Sequence, residues 1–85
     1  MTARMWEVVA AADACDDLVS WVCDVALPSV EDEAGCRGGE VYRSADRVVV
    51  ITHWEAAPRD LPDPPDNLTA RAPHAWDFER VSREP

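Results

Sequence analysis

Lysine is absent from this chain of 85 residues; all eight basic residues are arginine. Arginine without lysine, beside abundant Ala, Val, Asp and Pro, points to GC-rich coding, and a bacterial source is expected on that ground. Positive charge is scarce overall, leaving a formal net charge of −9. Phosphate backbones and anionic lipid would repel such a chain, so nucleic acid and a membrane surface are not expected partners. Cysteine is too sparse for a disulfide framework: Cys15, Cys23 and Cys36 make an odd number. On one helix Cys15 and Cys23 would sit about 12 Å apart, beyond the roughly 7 Å limit for a bridge. They read as small buried hydrophobes in a reducing cytoplasm. No CxxC or HxxxH spacing occurs, so no structural zinc is expected, and no other metal or cofactor. No apolar run approaches membrane-spanning length, and the first residues lack a basic-then-apolar leader. The expected location is therefore the cytoplasm. The sequon Asn67-Leu68-Thr69 carries no meaning there.

What is present suits one small globular domain, expected over 1–82 with a tail at 83–85. The hydrophobic fraction of 47% is too high for a disordered chain. Four Trp in this length are unusual, and each removes up to about 200 Å² from water when buried. Trp6, Trp21, Trp54 and Trp76 are thus expected in a core, an interface or a pocket. A core this small is often helped by oligomerisation.

Patterning divides the chain. Met5–Ala10 has a strand composition, with Trp6 and Val8 on one face and Met5 and Val9 on the other. A helix is predicted next, with Asp13 as its N-cap and Asp16 and Asp17 in the first turn. Leu18, Trp21, Val22 and Val25 form its apolar stripe. Pro28 is expected to stop or kink it, and Gly35 to cap any further turn. The acidic run Glu31-Asp32-Glu33 reads as a solvated helix end. Gly39–Arg43 predicts a second strand, Ser44–Asp46 a hairpin, and Arg47–Trp54 the strongest strand of the chain. That strand has five successive β-branched residues, Val48 to Thr52. Residues 55–73 are crowded with proline and allow at most a short helix near 66–70. Pro62–Pro65 reads as a rigid linker rather than a polyproline ligand, since it lacks a basic flank. The final strand, His74–Val81, alternates with Trp76 and Phe78 on one face.

The order β-α-β-β-(α)-β is the split β-α-β, ferredoxin-like α+β arrangement with its second helix short or lost. Its first and third strands, the two apolar on both faces, are its central pair. One helix layer covers one side of such a sheet. A second copy of the chain is expected on the other, making a homodimer that buries more than about 1,200 Å².

The stretch Gly35-Cys36 … Glu40-Val41-Tyr42-Arg43-Ser44 … Arg47 to Trp54-Glu55 resembles the antibiotic biosynthesis monooxygenase (ABM) family. The shared features are a Gly-Cys after the first helix, an aromatic-Arg-Ser hairpin, and a strand ending in Trp-Glu. The resemblance covers about residues 5–57 and implies a dimeric α/β barrel of ferredoxin-like subunits. Among such proteins are cofactor-independent oxygenases of aromatic polyketides, quinol oxygenases and haem-degrading enzymes. The family's polyketide oxygenases carry an Asn four residues before the matching Trp; here that position is Val50. The haem-degrading branch carries a His on the second helix, where this chain has Pro62 to Pro65. Of the catalytic positions only Trp54 matches.

Two functions remain open. One is a cofactor-independent monooxygenase acting on an aromatic or quinol-type substrate. Trp54 would stack the substrate and His74 would act as base, with His53, Tyr42 and Trp76 as further binding residues. The other is a non-catalytic ligand-binding or accessory homodimer that keeps the barrel and has lost the chemistry. A polar-lined pocket would favour the first reading. A barrel filled with Trp and Val side chains would favour the second.

Overall fold

The computed structural model describes residues 1–83. Glu84 and Pro85, the end of the expected tail, lie outside the described residues. Four strands, β1 (Thr2–Val9), β2 (Cys36–Arg43), β3 (Arg47–Trp54) and β4 (His74–Glu79), form one sheet in the order β2-β3-β1-β4. Every neighbouring pair is antiparallel. The two strands apolar on both faces, β1 and β3, occupy the centre. This is the split β-α-β order, compatible with a ferredoxin-like fold.

A helical rod follows β1: α1 (Cys15–Trp21), a π-helical stretch (Val22–Ala26) and α2 (Leu27–Glu31). Pro28 was expected to stop or kink it, with a further turn over 29–33. The rod continues through Pro28 to Glu31, and the disturbance is a widened turn before the proline, in which the Leu27 N–H donates to the Val22 carbonyl five residues back. Pro28 has no N–H to give Asp24, and its ring would crowd that carbonyl in a regular turn; the wider turn removes the conflict. The Ser29 hydroxyl donates to the Ala26 carbonyl at 2.6 Å. The widening also corrects the expected stripe. Leu18, Val22, Ala26 and Val30 are buried, whereas Val25 is 50% exposed. Side chains four apart drift by about 40° per step in a regular helix, and the wider turn takes up part of that drift.

Two further expectations change here. Asp13 does not cap the rod; it sits at φ 61° in the turn before it, and Ala14 is the N-cap residue. Gly35, at φ 88°, belongs not to the helix end but to the tight entry into β2. There its carbonyl accepts from the Glu55 N–H at 2.7 Å. A Cβ on Gly35 would lie 2.6 Å from that of Ala56, so this approach admits only glycine.

The rod packs on the sheet face that carries Trp6, Val8, Val48, Val50, Thr52 and Trp54, and all six are buried. Trp21 is half-buried against this core. The proline-rich segment closes the same layer without a second helix: Leu61 enters the core and Leu68 packs against it. A single 3-10 turn, Asp66–Leu68, is its only regular element. Thr69 bridges to Ala10, and the Ala70 N–H donates to the Val9 carbonyl at 2.9 Å. The shortest principal extent, 17 Å, leaves room for one layer over the sheet and none beneath it. All three cysteines are free, and Cys23 is exposed rather than buried.

Candidate functional site

Strict alternation sorts the candidate residues onto two faces. Trp54 follows Thr52 on the rod side. It is 1% exposed, and its Nε1–H donates to the Thr52 hydroxyl at 2.8 Å. It is not among the residues that line the depressions at the chain ends, the proline-rich segment, the hairpin end of the sheet or the bare face. No buried side-chain nitrogen or oxygen there lacks a partner. The space between sheet and rod is a filled apolar core, with no polar group aimed at a ligand.

The other four candidates lie on the opposite, bare face. The pairing registers place them in successive rungs across the sheet. One rung runs Tyr42, Val49, Glu7 and His74; the next runs Glu40, Ile51, Met5 and Trp76; the third runs His53, Ala3 and Phe78. Tyr42 is 54%, Trp76 44% and Phe78 53% exposed. Met5, Val49 and Ile51 between them are half-buried by their neighbours alone. The His74 and Trp76 rings stack, with centroids 5.9 Å apart and planes 22° from parallel. His53 Nε2 lies 2.9 and 3.1 Å from the two oxygens of Glu40. Glu7 meets Arg47 across the strands at 3.4 Å. The bare face is thus an apolar band of Val, Ile, Met, Trp, Phe and Tyr, crossed by two compensated charged or polar pairs.

Trp54 and His74, expected as stacking residue and base of one site, are separated by the sheet and do not converge. Tyr42, His53, His74 and Trp76 share a surface. Glu40 and Phe78 join them there and were not singled out from sequence. Alternation puts Phe78 beside Trp76, but Glu40 reaches His53 only once the β2–β3 register is fixed. That register contains a bulge between Cys36 and Gly39.

Arg4 lies on the rod side of β1 and ties this sheet to the proline-rich segment. Its guanidinium grips Asp77 of β4 through two nitrogens, at 2.7 and 3.0 Å, and Asp60 through a third. The hydrogen bonds from Arg4 hold the Asp77 carboxyl below the usual carboxylate range, and the Arg4 pKa is raised in return. Among the described residues no helix is long and apolar enough to cross a membrane.

The class of protein these features define is a small α+β chain with a four-stranded antiparallel sheet, helical on one face. Neither a family model nor a curated protein sequence matches it. Among solved structures it is similar to that of Rv0793 from Mycobacterium tuberculosis, with a TM-score of 0.69, 16% sequence identity and 96% of each chain covered. At that identity the likeness concerns the fold.

Proposed function

We propose that this protein is a homodimeric, ABM-like ligand-binding or accessory protein whose two subunits meet through the bare faces of their sheets to form a dimeric α/β barrel. The observation that carries the dimer is the uncovered band of Tyr42, Trp76 and Phe78 over half-buried Met5, Val49 and Ile51. Monomeric proteins rarely leave contiguous apolar surface of this kind to water. A two-fold contact that sets the patch against itself is the commonest way to cover it. The accessory reading is supported by the filled core around Trp54: the residue matching the oxygenases' stacking Trp is sealed and hydrogen-bonded to Thr52. The position of the family's Asn is Val50, itself 0% exposed.

Oxygen uptake with anthrone and quinol substrates tests the accessory reading, and no uptake above the protein-free rate is expected. Turnover that survives metal chelation would replace it with the oxygenase reading. The dimer is tested separately by its mass in solution.

A further inference from the structure

The bare face differs from the rest of the molecule in charge. Its strands carry two of the chain's 17 acidic residues, Glu7 and Glu40, and each faces a base on β3. A chain of net charge −9 meets a copy of itself with least repulsion there. The two pairs are not equivalent. Arg47 keeps its charge at any pH near neutrality, so Glu7 stays compensated. Glu40 depends on the His53 imidazole, 2.9 Å away, which is charged only when protonated. The arginines on the same strand as Glu40 are engaged elsewhere, Arg37 with Glu55 and Arg43 with Asp16. Ala3 of β1 and Phe78 of β4 complete the rung of His53 and carry no charge. Met1, Glu79 and Arg80 border the depression beside it, and Glu79 pairs with Thr2 on the rod side. Tyr42 and His74 are the other titratable groups of the face, both on the first rung.

In the single chain the His53 and Glu40 side chains are 36% and 45% exposed, so water solvates an uncompensated carboxylate. Under a second copy that water is lost. A buried lone carboxylate is costly, and a compensated pair is less so. A second copy also brings a second such pair into the same interface, where like charges oppose each other. From this geometry we infer that association of two chains takes up a proton at each His53–Glu40 pair, so that the dimer tightens as the pH falls. The proton belongs to the pair: on the imidazole or on the carboxyl, it removes the net charge. The dimer holds these protons more tightly than the free chain. Association is therefore fully developed below the imidazole titration range and weakens as the pH rises through it, between about pH 6 and pH 8. This inference rests on the dimer proposed above and adds a proton to its assembly.

Sedimentation of the full chain over a dilution series tests the link, at about pH 6 and about pH 8 in about 0.5 M NaCl, where general charge repulsion is screened. The Kd is expected to be at least about tenfold lower at the acid end, within the ceiling of about 100-fold per pH unit set by two protons per dimer. His53→Gln keeps a donor for Glu40 and cannot titrate, so its Kd should be the same at both values. Glu40→Gln leaves His53 without a counter-charge, so burial favours the neutral ring and the trend should reverse. His74→Gln should keep the wild-type trend. Circular dichroism checks each variant's fold; flat and reversed trends are separate expectations, so either substitution at the pair tests the link alone. A wild-type dimer with one Kd at both values would overturn the proton link and leave the dimer standing. So would a trend that persists in His53→Gln and vanishes in His74→Gln. A wild-type monomer at both values would remove the dimer and the link with it.

Discussion

Arg4 joins three parts of the chain, and its energetics belong to the single residue. Its side chain is largely covered, whereas Asp60 and Asp77 are open to water, so each contact is partly screened. Arg4→Gln is expected to cost about 1 kcal/mol and to raise amide exchange around Leu61. Urea unfolding and hydrogen exchange measure the two effects. Asp77 titrates below its usual range when folded. Its contribution is present above the unfolded value of about 3.9 and is lost as pH falls through the lower folded value. Arg4→Gln should therefore flatten the acid side of the stability profile below about pH 4. An unchanged profile would show that Asp77 owes its low value to something else. Arg4 carries no sequence signal for this role, because its partners lie 56 and 73 residues away.

At the scale of elements, the strands were legible because alternation and β-branching are local properties. Five consecutive β-branched residues identified β3, and greasy faces on both sides placed β1 and β3 at the centre. The disturbance expected at Pro28 takes the form of a widened turn for a physical reason. Proline forbids the next regular turn, but a π turn costs little when Leu18, Val22, Ala26 and Val30 gain a common buried face. Residue spacing does not reveal that compromise. The second helix is absent as its prolines required, and Leu61 and Leu68 take its place in the layer. Packing between rod and sheet gives two predictions. Leu18, 0% exposed, should lose about 2–5 kcal/mol on Leu18→Ala. Gly39→Val should cost about 1–3 kcal/mol, because a Cβ there would lie 2.9 Å from Leu27 Cδ1 and 3.0 Å from the Ile51 carbonyl oxygen. Chemical denaturation measures both, and a neutral result at Gly39 would mean that the rod shifts easily against the sheet.

For the whole molecule, the sheet has one face sealed by the rod and the other left to water. Which candidate residues share a surface could be read in part from sequence, since alternation separates His53 from Trp54. What the sequence hid was depth: a Trp at the end of a strand lines a pocket or plugs a core with the same pattern. The dimer proposed for the bare face joins two chains of net charge −9. Their repulsion is screened by salt, so association should tighten between about 10 and 150 mM NaCl, where the Debye length falls from roughly 30 to 8 Å. Sedimentation equilibrium at micromolar concentration, with Trp76→Glu beside the wild type, tests the central claim most directly. The account predicts a wild-type mass twice that of the 9.4 kDa chain and a folded monomer for Trp76→Glu. A wild-type protein sedimenting as a single 9.4 kDa chain would contradict it.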